Sequence, residues 1–204
     1  MNKFYELDKM EYDLYHQWEP YIDMYKNTQN TEIEFRFGRR NGHKFDTNVG
    51  RDTFQKCLKA LDMYKGWEEK THSKLDVYYF EGGKRLSINE ATDERESIVK
   101  QRVLVNDFEL KGKPFDVRLG VSSEQPFEYD GETATEQKNK ERWSFVRKNL
   151  RIDASIIKGN PDDLDDDQDT SYQIEMEIIN PAAMQTRDEQ FNIVYKIFDL
   201  IKCM

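Results

Sequence analysis

Between residues 31 and 179 polar and apolar side chains alternate with a period of two, in nine stretches: 31–38, 43–49, 74–80, 84–88, 97–105, 113–122, 139–147, 149–157 and 171–179. Period two is the signature of a strand with two different faces. Asn41-Gly42, Gly82-Gly83, Lys111-Gly112-Lys113, Asp130-Gly131 and Lys158-Gly159-Asn160 separate most of the stretches, and these are turn-forming sequences. Strands that follow one another so closely predict antiparallel pairing in a meander. No segment recurs at a spacing of 20–50 residues, which excludes a repeat array.

Helical spacing is confined to three segments. Residues 1–28 place Phe4, Leu7, Tyr12, Tyr15 and Trp18 three or four apart, and Pro20 is expected to break the run. Residues 51–64 carry Phe54, Leu58, Leu61 and Tyr64 on one stripe. Residues 184–203 follow Pro181 and carry Phe191, Val194, Tyr195, Phe198 and Ile201. These stripes read as core packing.

The strand faces are sorted by charge. Glu32, Glu34 and Arg36 oppose Ile33, Phe35 and Phe37, while Gln173, Glu175 and Glu177 oppose Ile174, Met176 and Ile178. Between these acidic strands lie basic ones: Lys100 with Arg102, Arg118 with Asp116 and Glu124, Lys138 with Lys140, Arg142 and Ser144, and Arg151 with Asp153 and Ser155. A sheet face in water has no use for neighbouring like charges, which repel. A closed barrel with a polar bore accounts for the sorting, its outward hydrophobes covered by the helices. The fold class expected is therefore α+β dominated by β: a closed antiparallel barrel of about eight strands with flanking helices.

Charges in a bore must meet their opposites. Carboxylate oxygens suit a hard divalent cation, magnesium or manganese. Lys and Arg in the same cavity suit a polyphosphate. Together they fit phosphoryl transfer to water, which requires positioning and charge neutralisation and no covalent intermediate.

Composition narrows the alternatives. The 204 residues carry a net charge of −9, six of the acids lying in 161–169 (PDDLDDDQD), which reads as a solvated loop. That run lacks the Gly and terminal Glu of a calcium loop. The remainder is nearly balanced, so a broad basic surface for nucleic acid is not expected. There is no run of eighteen apolar residues for a membrane span and no apolar core of a secretion signal. Two cysteines, Cys57 and Cys203, make neither a disulfide framework nor a thiolate zinc site and fit a reducing compartment. His16, His43 and His72 lie on unrelated segments, which argues against a histidine metal site or triad. No phosphate-cradling Gly-rich loop occurs. Lys74-Leu75-Asp76 is followed by Val77 where covalent nucleotidyl transfer needs Gly, so guanylyl transfer by this chain is rejected.

IEFRFG and QIEMEI, with their paired Glu-x-Glu, are similar to the defining motifs of the metal-dependent RNA 5′-triphosphatases of the triphosphate tunnel metalloenzyme superfamily, in the fungal and large-DNA-virus type used in mRNA capping. The resemblance covers about residues 31–180. VKQRV, DVRLGVSSEQP, KNKERWSF and LRIDAS follow in the family's order, with Ser155 where the family has Thr and Gln173 where the fungal pattern has a third Glu. It implies that Glu32, Glu34, Glu175 and Glu177 bind the metal. It implies that Lys140, Arg142 and Arg102 grip the γ-phosphate, and that Glu124 orients or deprotonates the attacking water. Arg85, Lys100, Arg118 and Arg151 are the further phosphate ligands implied, and Asp153 fixes a neighbouring base.

The reaction so implied turns triphosphate-ended RNA into diphosphate-ended RNA and phosphate, the first step of capping, with free nucleoside triphosphates as side substrates. Residues 1–204 are expected to be one tunnel domain with helical flanks 1–28 and 184–203 and mobile loops 126–138 and 160–170. A guanylyltransferase domain or subunit is the expected partner, in an intracellular setting, viral or host, with no membrane contact. Two other readings compete: an inorganic tripolyphosphatase or thiamine-triphosphatase-like tunnel enzyme, and a polyphosphate-binding module without catalysis.

Overall fold

The computed structural model describes residues 9–159 and 170–204. The sequence begins helix α1 among residues 1–8 and predicts a loop over the Asp run of 161–169; both lie outside the described residues. Among those described, three helices, α1 (Lys9–Tyr25), α2 (Arg51–Met63) and α3 (Arg187–Cys203), accompany nine strands. The strands are β1 (Thr31–Asn41), β2 (Lys44–Asp46), β3 (Glu69–Tyr79), β4 (Lys84–Asn89), β5 (Arg95–Phe108), β6 (Asp116–Pro126), β7 (Glu136–Arg147), β8 (Leu150–Lys158) and β9 (Ser171–Ile178).

All nine expected strands form, every pair antiparallel, but the order is not a simple meander. It runs β2-β1-β6-β5-β4-β3-β7-β8-β9, and a further β1–β9 pairing closes eight strands into a barrel, leaving β2 as a short hairpin partner of β1. Two meanders, β3 to β6 and β7 to β9, are joined by β3–β7 and by β1, which sits between β6 and β9. Closure pairs the strands that would otherwise be exposed edges.

The barrel is inverted relative to an ordinary core. Ile33, Phe35 and Phe37 of β1, Val117, Leu119 and Val121 of β6, and Ile174, Met176 and Ile178 of β9 point outward and are fully or nearly fully buried. They pack under the helices, as where the Trp18 and Phe35 rings meet edge to face with centroids 5.7 Å apart. The apolar driving force therefore acts on the outside of the barrel, and the bore is left to polar groups.

Four local expectations change. Pro20 lies inside α1 and does not end it. Its missing N–H leaves one carbonyl unpaired, but Trp18 and Ile22 on either side are wholly buried and hold the helix. Tyr195 and Tyr64 are exposed; on α3 the expected Val194, Phe198 and Ile201 are buried, joined by Ile193, Ile197 and Leu200. Strand β6 starts later, after Pro114, and extends to Pro126, which keeps Glu124 on a strand. Strand β7 starts at Glu136, so Lys138 belongs to the barrel wall and the expected loop 126–138 narrows to 127–135.

Candidate active site: a charged tunnel

Residues directly opposite in an antiparallel pair share a face, so the register identifies the bore. From β1, Glu34 pairs with Glu177 on one side and Gly120 on the other, and Glu32 pairs with Ser122. Across β9 and β8, Glu175 faces Asp153, Glu177 faces Arg151 and Gln173 faces Ser155. Across β8 and β7, Ser155 faces Arg142. Lys140 faces Leu75 of β3, Arg85 faces Tyr79, and Lys100 faces Glu124. All the residues just named thus share the inner face. Gly83 helps fix this wall: its φ is +78°, and a Cβ would come within 2.6 Å of the Lys100 carbonyl, so only glycine fits.

The side chains form a web of ion pairs. Arg36 Nε donates to Glu34 Oε1 at 2.9 Å and stands 3.1 Å from Glu175 Oε1. Lys140 Nζ is 3.7 Å from the other Glu175 oxygen. Lys100 pairs with Glu32, which also accepts from Ser122 Oγ at 2.8 Å, and reaches Glu124 Oε1 at 3.0 Å. Arg85 Nη2 is 3.9 Å from that Glu124 oxygen. Arg151 pairs with Glu177 and lies 3.3 Å from Asp153, which Arg142 approaches at 3.7 Å. Arg36 was not among the expected ligands; its place beside the Glu pair on the same strand face was the available signal.

Burial and neighbours perturb these groups. Burial alone would raise the Glu175 carboxyl, yet Arg36, Lys140 and Arg142 outweigh it and hold it well below the usual range. Burial, then the Glu175 charge, pushes Glu34 up. Burial pushes Glu177 up to about 7 against the pull of Arg151. Burial brings Lys140 down to about 8 against the pull of Glu175. Glu34 and Glu177, paired across β1 and β9, are thus both pushed toward the protonated form, chiefly by burial, and a cation would oppose that push.

Buried polar atoms with no hydrogen-bond partner concentrate here. Among the described residues they are Arg85 Nε, Glu124 Oε1, Arg142 Nε, Arg151 Nε, Asp153 Oδ1 and Ser155 Oγ, all in the bore, with Trp18 Nε1 the single exception. Natural proteins seldom leave such groups unmatched unless a ligand or ion completes them. A cavity of about 380 Å³ lies against Arg36, Arg85, Lys140, Arg142 and Glu175. Guanidinium and ammonium donors gathered this way suit phosphate oxygens.

Four expected phosphate ligands do not line this cavity: Lys100 and Arg151, which are held by Glu32 and Glu177, and Arg118 and Arg102. Arg118 makes a two-pronged pair with Asp107 at 2.6 and 2.9 Å and lies over the Phe45 ring at 4.6 Å. Arg102 is exposed, beside a bulge between Arg102 and Leu104. For a metal, four carboxylates are the donor chemistry a hard divalent cation takes. Each is engaged by a base, and among the described residues no three acidic, His or Cys side chains are gathered as a cage. A cation would therefore have to draw these acids from their Arg and Lys partners.

An eight-stranded antiparallel barrel whose bore sorts carboxylates against phosphate-binding cations is a triphosphate tunnel. Residues 80–202, more than half of the chain, match the family described as "mRNA capping enzyme, beta chain", and the protein belongs to that family. Its fold is that of the S. pombe Pct1 RNA triphosphatase, at a TM-score of 0.76 and 16% identity, covering 99% of this chain and 97% of that one. The mimivirus capping enzyme triphosphatase is also similar, at a TM-score of 0.61 and 16% identity over 93% of this chain and 97% of that one. A further structure, at a TM-score of 0.76 and 16% identity over 96% and 93%, is Pct1 in complex with the Spt5 CTD. No curated protein sequence matches the chain.

Proposed function

We propose that this tunnel binds the 5′-triphosphate of RNA with a divalent cation and transfers the γ-phosphoryl group to water. As a member of the capping-enzyme beta-chain family the chain is an RNA 5′-triphosphatase of mRNA capping; the metal and the residue roles are the proposed part. The observation that carries them is that Arg85 Nε and Arg142 Nε are buried without a hydrogen bond, on side chains that line one cavity with Lys140 and Glu175.

Lys140, Arg142 and Arg85 hold the γ- and β-phosphate oxygens and oppose the charge that builds on them during transfer. Lys100 and Arg151, paired with Glu32 and Glu177, would be free to bind phosphate if those acids held a cation; Arg102 and Arg118 are outer attractors of the polyanion. Magnesium or manganese, held by Glu32, Glu34, Glu175 and Glu177, would neutralise charge between carboxylates and phosphate. Glu124, held beside Lys100 and Arg85, orients the water and takes its proton. Asp153 keeps Arg142 and Arg151 in position. Residues 1–204 act as one tunnel domain, free nucleoside triphosphates are side substrates, and a guanylyltransferase domain or subunit inside the cell receives the diphosphate end.

The test is release of labelled phosphate from γ-labelled triphosphate-ended RNA, with and without magnesium or manganese, beside Glu175→Ala. Release that requires metal and is lost in the variant is expected. Cleavage of tripolyphosphate alone moves the protein to the small-molecule branch. Silence on both substrates leaves a binding module.

A further inference from the structure

Apolar side chains reach the bore singly on two strands, Ile157 of β8 and Ile98 of β5, but on one strand they form a continuous strip. On β3 the inward positions Leu75, Val77 and Tyr79 are apolar, while Lys74, Asp76 and Tyr78 point outward. The neighbouring strands keep polar side chains inward, Arg85 and Ser87 on β4, Lys138 and Lys140 on β7. Polar outward residues on β3 do not require apolar inward ones. Leu75, Val77 and Tyr79 all line the same cavity as Arg85, Lys140 and Arg142. A bore that took only polyphosphate would gain nothing from this strip, because apolar surface beside an anion forgoes hydrogen bonds the anion needs.

The strip also has a direction. Leu75 pairs with Lys140, Val77 with Lys138, and Tyr79 with both Glu136 and Arg85. Strand β3 ends at Tyr79 and β7 begins at Glu136, so Tyr79 marks a mouth of the tunnel. Four residues of strand separate Leu75 from Tyr79, roughly 13 Å at the usual rise, which suits the reach from a terminal phosphate past the ribose to a base. Lys138 Nζ lies over the Tyr79 ring at 5.8 Å from its centroid and is also drawn off to Glu136 at 3.0 Å, so a stacking base would take the place of a weak cation contact.

We infer that the Leu75–Val77–Tyr79 wall is the subsite for the base of the 5′-terminal nucleotide, with Tyr79 stacking on it while Lys140 and Arg142 hold the far phosphates. This rests on the triphosphatase reading above and adds to it what the tunnel recognises beyond phosphate. A stacking face without edge-reading groups accepts any base, so selection is for a nucleoside over bare polyphosphate and not for sequence.

The test compares kcat/KM of wild type, Tyr79→Phe and Tyr79→Ala on triphosphate-ended RNA, ATP and inorganic tripolyphosphate. Tyr79→Ala is expected to lower the ratio of RNA to tripolyphosphate efficiency by on the order of ten-fold, mostly through KM, and Tyr79→Phe to restore it. An unchanged ratio overturns the subsite, and a change with ATP but not RNA overturns its assignment to RNA ends. Wild type inactive on all three substrates would instead defeat the underlying reading. Tyr79→Trp supplies a readout that needs no turnover: its fluorescence should be quenched by ATP and by triphosphate-ended RNA and not by tripolyphosphate. Equal quenching by all three, or by none, overturns the proposal.

Discussion

Gly120 stands directly across from Glu34 in the β1–β6 pair, and a Cβ there would lie 3.2 Å from Glu34 Oε1 and 3.3 Å from its Cγ. The space of the missing side chain is the space in which the carboxylate lies. Nothing about the Gly120 backbone demands glycine, since its φ lies outside the left-handed region. Gly120→Ala should therefore fold, with Glu34 displaced by a few tenths of an ångström. Since misplacement on this scale impairs positioned catalysis, we expect phosphate release to fall about ten-fold or more while the melting temperature changes little. Metal-dependent turnover and thermal melts of the variant check both halves; full activity would mean that Glu34 is free to move.

Glu177 is an acid whose burial outweighs the pull of its Arg151 partner. Its carboxyl is pushed up to about 7 in the folded chain. An acid that binds its proton more tightly when folded opposes folding above its unfolded value, increasingly so until pH passes about 7, and levels off beyond. Glu177→Gln should thus raise the melting temperature of the metal-free protein at pH 8, by about 2–4 °C for each kcal/mol relieved. The gain should fade as pH falls from 7 toward the ordinary carboxylate range. Arg151 keeps Asp153 at 3.3 Å, so it is not left alone. Metal-dependent phosphate release should be lost in the same variant. Melts from pH 5 to 8.5 without metal, paired with the assay, test this; a destabilised variant at pH 8 would mean that Arg151 is the dominant partner.

The nine strands and the inner face were readable because alternation is a local property. Where it lapses, the limits were not. Residues 69–74, EKTHSK, hold no apolar alternation, and they are strand only because β7 pairs with them along its whole length. The strand order was equally hidden, since inserting β1 between β6 and β9 depends on closure, which no local pattern encodes. Paired glutamates and interleaved bases pointed to the tunnel, and the register puts them on one face. Arg118 illustrates what one strand cannot reveal: its partner Asp107 comes from the neighbouring strand, beyond a bulge that shifts the register. The apolar inner face of β3 was overlooked because the charges drew attention to the other strands.

The two thiols should differ in reactivity. Cys57, on the buried face of α2, is wholly inaccessible, and burial pushes its thiol up to about 12; burial also raises Cys203, which is partly accessible. Only the thiolate attacks a disulfide reagent. At pH 8 the Cys203→Ser variant should release no chromophore from an aromatic disulfide reagent while folded, and one equivalent per chain once denatured. Native labelling of that variant would mean that α2 opens on the time scale of the assay.

Helix α3 carries much of the outer cover, and its start is fixed by a reciprocal cap. Glu189 N donates to Thr186 Oγ1 at 3.3 Å, and Thr186 N donates back to Glu189 Oε2 at 2.9 Å. Two amide donors that the helix cannot satisfy itself are thereby satisfied. Removing the hydroxyl leaves Glu189 N to water, so Thr186→Ala should cost about 1 kcal/mol and lower the melting temperature by about 2–4 °C. Thr186→Ser should recover most of it. The cap lies outside the bore, so phosphate release well below the melting temperature should match wild type. Chemical denaturation of the three proteins measures the cost; a loss of activity in parallel with stability would mean that α3 positions the tunnel and does not merely cover it.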